Sequence, residues 1–278
     1  MNGPMPGVEG ARVQEVSRLP ALLPGAVRVA PYSVARPGAV LRCVPGLARF
    51  LARDGTLVEV ACEPKADRRE VESLLAGPLA AALIHQRGEL PLHGAALVAP
   101  TSGNAVVIVG RQGSGKSTLA YELVQIGWSL LSDDLVRLTS DAGVVLAWPG
   151  RIGVKLCRDA CERVSLPLDA LKRVSGEREK YLVPITPQRD PVPVRLIVAL
   201  DRNAAAACTE IKGAAALALL TEHTHRLAYV SALGQTRSHL RMVATTLVFA
   251  RVVRLSGAAT PHEHARAIYA LIVDRCTD

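Results

Sequence analysis

Short alternations of apolar and polar residues in the first third of the chain predict β-strands. They cover residues 27–30, 40–44, 48–52 and 56–62. The turn Arg53-Asp54-Gly55 joins the last two, and it predicts a hairpin because Asp-Gly readily adopts the backbone angles of a tight turn. Over residues 67–86 the apolar positions recur with the period of a helix. Together these elements predict a small N-terminal α+β lobe.

From residue 89 onward, buried apolar runs alternate with amphipathic stretches, a pattern typical of an α/β fold. Strands are predicted over residues 92–98, 105–109, 128–131, 135–138, 144–147, 181–185, 194–200 and 252–255. Helices are predicted over residues 117–126, 213–221 and 236–249. The segment Thr260-Pro261-His262-Glu263 is a capping box that begins a last helix.

The pattern divides the chain into three parts. Residues 1–15 are rich in proline and glycine, and we expect a disordered tail there. Residues 16–88 form the N-terminal lobe, and residues 89–278 form the domain expected to carry the chemistry. The start of the chain lacks the apolar stretch of a signal peptide, and no apolar run approaches the roughly 20 residues of a membrane helix. A cytoplasmic protein that does not bind membranes is therefore expected.

A glycine-rich octapeptide joins the strand predicted at residues 105–109 to the helix that follows. Its sequence, Gly110-Arg111-Gln112-Gly113-Ser114-Gly115-Lys116-Ser117, matches G-x-x-x-x-G-K-[ST]. Glycines let backbone N–H groups turn toward phosphates, and the helix N-terminus adds a positive dipole. Lys116 is expected to meet the β- and γ-phosphate oxygens, and Ser117 to ligate magnesium. With Thr118 beside it, this loop predicts a site for ATP or GTP with Mg²⁺.

Two adjacent aspartates, Asp133 and Asp134, end the strand predicted after this helix. A carboxylate in this place holds Mg²⁺ in phosphoryl-transfer enzymes. Two acids suggest two roles, in which one holds the metal and the other takes the proton of an acceptor hydroxyl. In the alternative interpretation, the second acid is an outward-pointing turn residue. His93 borders a strand that leads toward the loop, and its spacing alone leaves a structural and a functional role open.

Four basic residues outside the loop are candidates for substrate contacts, because a kinase must neutralise charge on the nucleotide and on its acceptor. Lys180 and Arg189 are expected near the phosphates. Arg151 and Lys155 are expected near a peptide carboxylate or neighbouring acidic residues. The alternative for each is a solvated surface charge.

The overall charge favours an acidic partner, since the formal net charge is +8 and the pI is about 9.5. Basic residues are scattered singly and aromatic residues make up only 3% of the chain, so no nucleic-acid binding is predicted. No cysteine pair has the two-residue spacer of a zinc or redox motif. The pairs His223/His225 and His262/His264 predict solvated helix residues rather than metal ligands, because alternate residues diverge on a helix.

Three segments together resemble the catalytic domain of HPr serine kinase/phosphorylase: Leu92-His93-Gly94, the loop at residues 110–117, and Leu130-Leu131-Ser132-Asp133-Asp134. The match is close over about residues 90–138 and elsewhere follows only the order of elements. The resemblance implies a nucleotide-binding fold like that of phosphoenolpyruvate carboxykinase, with a P-loop, and transfer of a γ-phosphoryl group to a serine hydroxyl. It also implies homo-oligomers, and a role for His93 in orienting phosphate or the catalytic carboxylate.

Two departures from that family refine the expected substrate. Residues 149–156 occupy the place of its Arg-Gly-Leu-Gly segment, but Trp148 stands where a glutamate is expected, which argues against reverse phosphorolysis. Residues 45–52 and 83–88 resemble short-lobed relatives encoded with peptide-modification enzymes, some of which are lasso-peptide precursor kinases. The expected acceptor is therefore a serine hydroxyl of a ribosomal precursor peptide. Alternatives are the folded carrier HPr, free serine, and an ATP-gated peptide-binding module without phosphoryl transfer.

Overall fold

The computed structural model describes residues 2–151, 153–174, 179–186, 188–201, 207–257 and 260–273. The first sheet has seven strands, β1 (Gly3–Pro4), β2 (Arg12–Glu15), β3 (Val27–Ala30), β4 (Ser33–Arg36), β5 (Ala39–Val44), β6 (Ala48–Arg53) and β7 (Leu57–Cys62). Their order is β1-β2-β7-β6-β5-β4-β3. The predicted hairpin is confirmed, because β6 and β7 pair around Asp54 and Gly55, whose φ angles are 50° and 70°.

The segment of residues 1–15, expected to be a disordered tail, instead contributes β1 and β2 to this sheet. β2 pairs in parallel with β7, and Met5, Val8 and Val13 are buried in the core of the sheet. Proline and glycine here form turns, since Gly7 and Gly10 both have φ 71°, a conformation in which glycine has no Cβ clash. Composition alone did not distinguish these turns from disorder.

One helical segment follows the first sheet, as predicted for residues 67–86. It consists of α1 (Arg68–Leu74), a π-helical turn (Leu75–Leu79) and α2 (Ala80–Gln86). The side chain of Asp67 caps its N-terminus by accepting a 2.9 Å hydrogen bond from the Arg69 N–H. Pro78 lies in the π-helical turn, where the regular α-helical hydrogen bonding is already interrupted. The residues that pack on the first sheet are Val71, Leu75, Leu79, Leu83 and Ile84.

The remaining strands form a nine-stranded sheet and a three-stranded sheet. They are β8 (Leu90–Leu92), β9 (Gly94–Val98), β10 (Ala105–Gly110), β11 (Ser129–Asp133), β12 (Val136–Asp141), β13 (Val144–Ala147), β14 (Val154–Cys157), β15 (Lys172–Val174), β16 (Lys180–Val183), β17 (Val192–Asp201), β18 (Ala207–Glu210) and β19 (Arg251–Ser256). The larger sheet has the order β11-β9-β10-β17-β13-β12-β8, and β19 pairs with both β17 and β18. β10, β17 and β19 are mutually parallel, and the other pairs are antiparallel. The smaller sheet has the order β14-β16-β15.

Four helices cover the two faces of the nine-stranded sheet, namely α3 (Lys116–Gln125), α5 (Gly213–Glu222), α7 (Thr236–Phe249) and α8 (Pro261–Val273). Of the other two, α4 (Arg158–Arg163) packs on the three-stranded sheet and α6 (Ala228–Ala232) packs on the first sheet. On β10, Val106 and Ile108 pack with residues of α3 and α8, whereas Val107 and Val109 pack with residues of α5 and α7. Because β10 is buried on both faces, its sequence is an uninterrupted apolar run. The predicted α/β class is thus confirmed as a mixed α/β structure with several sheets.

Local details agree with the sequence in some places and differ in others. The capping box is confirmed, because the Thr260 N–H donates to Glu263 Oε2 at 2.6 Å and the Glu263 N–H to Thr260 Oγ1 at 3.2 Å. The strand predicted at residues 92–98 is interrupted at His93, and α4 and α6 were not predicted. No helix in the described part of the chain has the length and apolar character required to cross a membrane.

Candidate active site

The glycine-rich loop lies at the edge of the nine-stranded sheet where β10 and β11 end. Both strands pair antiparallel with β9, so they run in the same direction and their carboxyl ends meet at one edge. Within the loop, Gly110, Gly113 and Gly115 have φ angles of 154°, 85° and 90°. A Cβ on Gly110 would lie 2.7 Å from Ser114 Oγ and 2.9 Å from the Leu200 carbonyl oxygen. The loop conformation therefore requires glycine at this position.

Lys116 begins α3 and turns its side chain back over the loop. Its Nζ donates to the carbonyl oxygens of Gly110 at 2.7 Å and Arg111 at 3.0 Å, and burial lowers its pKa. Above the loop lies a cavity of about 320 Å³, the loop cleft. Its walls include Gln112, Gly113, Gly115, Lys116, Ser117 and Thr118.

Asp133 is fixed at the end of β11 by two hydrogen bonds. Its Oδ1 accepts from the Ser117 hydroxyl at 2.9 Å, and its Oδ2 accepts from the Lys155 backbone N–H at 2.9 Å. The side chain is buried, and burial together with the neighbouring Asp134 carboxylate raises the pKa of Asp133 to about 6. The Ser117 hydroxyl and the Asp133 carboxylate thus lie side by side on the wall of the loop cleft.

Asp134 adopts the left-handed backbone conformation, with φ 76°. Its Oδ2 lies 2.7 Å from Lys155 Nζ, and its Oδ1 lies 3.5 Å from His93 Nδ1. Burial opposes ionisation of this carboxyl group, but the ion pair with Lys155 outweighs burial and holds the pKa of Asp134 below its usual range. Asp134 is therefore ionised at neutral pH.

His93 contacts Asp134 through the backbone as well as the side chain. Its Nδ1 lies 3.0 Å from the Asp134 carbonyl oxygen, which can only accept, so Nδ1 carries the proton. Burial and nearby Lys116 lower the pKa of His93, which leaves the imidazole neutral at pH 7. A neutral imidazole with the proton on Nδ1 presents Nε2 as an acceptor.

The solvated helical positions expected for His223 and His225 are wrong. Both residues follow the end of α5, and His225 lies beside His93, with ring centroids 5.7 Å apart. The His93 N–H donates to the His223 carbonyl oxygen at 2.8 Å, and burial lowers the pKa of His225 to about 3. α5 ends at Glu222, close to the predicted end at residue 221, so neither histidine is on the helix.

A second cavity, of about 570 Å³, adjoins the loop cleft and is called the second cleft. One wall is formed by Val29 and Ala30 of β3, and the opposite wall by residues 224–229. The residues that line both cavities are His93, Gln112, Asp134 and Lys180. Asp134 is thus located where the two clefts meet.

The four predicted basic residues occupy different places. Lys180, on β16, lines both clefts. Lys155 lines the loop cleft, and its Nζ lies 2.7 Å from Asp134 Oδ2. Arg151 lines a small pocket beside Pro6 and Gly7 instead, and Arg189 is exposed and lines neither cleft.

Trp148, at the position where the resemblance implies a glutamate, is also outside both clefts. Its indole Nε1 donates to Thr139 Oγ1 at 2.8 Å. The Arg137 guanidinium lies 4.3 Å from the ring centroid, in a cation–π contact. These contacts give Trp148 a packing role.

Several residues of the loop cleft were not predicted from the sequence, and three of them carry polar or charged side chains. Cys157 ends β14, and Asp159 and Arg163 follow on α4, with Arg163 Nη2 3.6 Å from Asp159 Oδ2. An Asp and an Arg four positions apart on a helix are common on any surface. Only the folding of β14 beside β11 brings them to the cleft.

Comparisons with known proteins bear on this arrangement. No protein-family model matches the chain. The chain is 33% identical over 115 residues to the HPr kinase/phosphorylase of Aromatoleum aromaticum, and the match covers 41% of this chain and 33% of that protein. The chain thus spans about a third of the length of this curated relative. The HPr(Ser) kinase/phosphatase structure from Coxiella burnetii aligns with a TM-score of 0.36 and 14% identity, over 67% of this chain and 90% of that one. The resemblance to HPr kinase/phosphorylase indicated by the motifs is confirmed by the curated match over 115 residues.

Proposed function

We propose that this chain is a Mg²⁺-dependent ATP:serine kinase that phosphorylates a peptide. The observation that carries the proposal is the position of Asp134, an ionised carboxylate where the loop cleft meets the second cleft. A hydroxyl that enters from the second cleft would meet this carboxylate beside the phosphates held by the loop. Such positioning of acceptor, base and phosphoryl donor accounts for most of the catalysis in phosphoryl transfer.

In this proposal the loop and Lys116 bind the nucleotide phosphates, in a P-loop within a fold like that of phosphoenolpyruvate carboxykinase. ATP is the expected donor, with GTP as the alternative. The ligand set suits Mg²⁺, which takes one or two protein oxygens and completes its shell with phosphates and waters. Ser117 and Asp133 would hold the ion, and when bound it neutralises charge on the phosphoryl oxygens.

Asp134 would act as the base that accepts the proton of the acceptor hydroxyl. Lys155 and His93 hold its carboxylate in place through contacts of 2.7 Å and 3.5 Å. Lys180, which lines both clefts, would balance charge on the transferring phosphoryl group. His93 would thus orient the catalytic carboxylate, as the resemblance implies.

The proposed acceptor is a serine of a ribosomal precursor peptide, such as a lasso-peptide precursor. The open second cleft beside Asp134 supports a flexible substrate. The alternative is the folded carrier HPr, which the similarity to HPr kinase/phosphorylase supports at least as well. A cytoplasmic homo-oligomer is part of the same proposal.

Phosphoryl transfer from ATP to serine-containing peptides, HPr and free serine, followed by mass spectrometry, tests this function. Asp134→Asn is expected to lower kcat about 10²- to 10⁴-fold, the range for loss of a general base. Lys116→Ala is expected to lose both nucleotide affinity and transfer. Arg189→Gln is the matched control, because Arg189 is exposed outside both clefts. Full transfer by both Asp134→Asn and Lys116→Ala would refute the mechanism, and ATP binding without any phosphorylated product would favour a gated binding module.

A further inference from the structure

The second cleft has a wall to which the proposed reaction gives no role, namely the edge of the first sheet. β3 is the last strand of that sheet, and in the part of the chain that the structure describes it pairs only with β4. The free edge of such a strand presents backbone N–H and C=O groups that can pair with another chain. Val29 and Ala30 line the second cleft, so this edge reaches the cavity that contains Asp134.

β3 is irregular where it borders the cavity. Arg28 pairs with Val34 and Ala30 pairs with Ser33, so Val29 is an extra residue on β3. A bulge of this kind sharpens the local twist and redirects the strand, and bulges are frequent next to active sites. The bulge therefore lies where β3 borders the cavity that Asp134 also lines.

The opposite wall is held in place by the nine-stranded sheet. Thr224 forms a bridge with Leu92, and the His225 N–H donates to the Pro91 carbonyl oxygen at 2.8 Å. The last two residues of this wall begin α6, which packs against β3. Both walls are therefore fixed by regular structure, as expected for a preformed binding site.

Two buried polar groups on this second wall are unsatisfied. Among the described residues, the Tyr229 hydroxyl and His225 Nε2 have no hydrogen-bond partner. Both residues line the second cleft, and Tyr229 is only 1% exposed. Buried polar groups normally have partners, so a ligand that reached these two atoms would have to be polar.

The residues around the cavity define the chemistry of that ligand. Leu227 lines the cavity and is 40% exposed, and Val27 and Tyr32, close in sequence to the lining residues Val29 and Ala30, are 57% and 56% exposed. Lys180 and Arg226 line it, whereas Asp134 supplies the one carboxylate among its described lining residues. A partner with apolar and acidic side chains complements this surface.

We propose that the acceptor binds in the second cleft as an extended segment that pairs with the free edge of β3 as a further strand. Main-chain hydrogen bonds to β3 supply affinity, and alternate side chains face the apolar flanks and the basic residues. A serine in this segment then faces Asp134. The choice of serine as the reacting residue rests on the proposed kinase function, but the strand pairing does not.

Backbone N-methylation of a bound peptide tests the pairing directly. The probe is a set of fluorescent decapeptides with a central serine flanked by alternating valine and glutamate, measured by anisotropy with a non-hydrolysable ATP analogue. Each amide is methylated in turn. A paired strand uses every second amide, so affinity should fall about tenfold at alternate positions and change little between them. Equal effects at successive positions would overturn the proposal.

Variants of the two walls give an independent measurement. Val27→Asp and Arg226→Glu should weaken binding of the acidic peptides about tenfold or more. Arg226→Glu should also improve binding of a matched peptide in which lysine replaces glutamate. Val248→Asp is the control, because Val248 is 76% exposed on α7 and lines a different cavity. Unchanged peptide affinity in both wall variants would contradict the proposal.

The outcomes separate this inference from the kinase proposal. Alternating N-methyl effects without any phosphopeptide would support strand pairing and contradict the kinase. Phosphorylation of the peptides without alternating N-methyl effects would support the kinase and contradict strand pairing. If no peptide of the set binds or is phosphorylated, strand pairing is wrong, and transfer to folded HPr would then show whether the kinase proposal stands.

Discussion

The hydroxyl of Ser117 donates a 2.9 Å hydrogen bond to Oδ1 of Asp133, which joins the first turn of α3 to the end of β11. In the proposed site both oxygens would ligate Mg²⁺. Ser117→Ala is expected to lower metal affinity or kcat/KM about 10- to 100-fold, whereas Ser117→Thr keeps the hydroxyl and most of the activity. Steady-state rates at several Mg²⁺ concentrations measure the difference. Similar behaviour of the two variants would show that this hydroxyl is not a ligand.

The raised pKa of Asp133, about 6, predicts a pH-dependent affinity for Mg²⁺ with nucleotide. Since a carboxylate must lose its proton to hold the cation, affinity should rise as the pH increases through about 6 and level off above it. Calorimetric titrations from about pH 5 to about pH 8 measure this change. The Asp133→Asn variant should bind Mg²⁺ with nucleotide more weakly, and its affinity should no longer change as the pH passes through about 6. A pH-dependent change of unchanged size in that variant would assign the titration to another group.

The contact between Lys155 and Asp134 predicts a stability effect. Lys155→Met leaves the Asp134 carboxylate without its cation, and we expect the free energy of unfolding to fall by about 1 to 3 kcal/mol. The estimate is below that for a fully buried pair because the Asp134 side chain is 34% exposed. Urea denaturation measures it. Adding Asp134→Asn to Lys155→Met should recover part of the lost free energy of unfolding, because the unpaired carboxylate is removed. A further loss of stability in the double variant would show that the unpaired carboxylate is not the cause.

Gly94, next to His93, predicts a second stability effect. A Cβ at this position would collide with the Ile108 carbonyl oxygen on β10, which is backbone and has little room to move. Gly94→Ala should therefore destabilise the fold by about 1 to 3 kcal/mol. Gly77→Ala is the control, since its Cβ would meet nothing within 4 Å. Thermal unfolding of the two variants checks the contrast, and equal melting temperatures would contradict it.

The loop and the acid pair could be predicted because their signals are local. The glycines, Lys116 and Ser117 follow one another in the chain, and the strand order brings Asp133 to the same edge of the sheet. The contact between Lys155 and Asp134 was more difficult to predict, because it depends on β14 lying beside β11. Its sequence neighbours carry no sign of that contact.

The second cleft was beyond prediction from the sequence. Val29 and Tyr229 line the same cavity although they lie in distant parts of the chain. The signals of each segment describe only a strand or the start of a short helix. The two residues lie at one cavity because α6 packs on the first sheet. No local sequence pattern predicts that packing.

The core of the first sheet includes Tyr229 and Leu233, in and just after α6. These residues are synthesised long after β7, so a nascent chain that has completed its seven N-terminal strands still exposes apolar surface there. Contacts between distant segments slow folding and lengthen the time during which such surface can aggregate. The N-terminal strands therefore cannot finish folding on the ribosome until α6 has emerged, and truncation before α6 should yield an insoluble product.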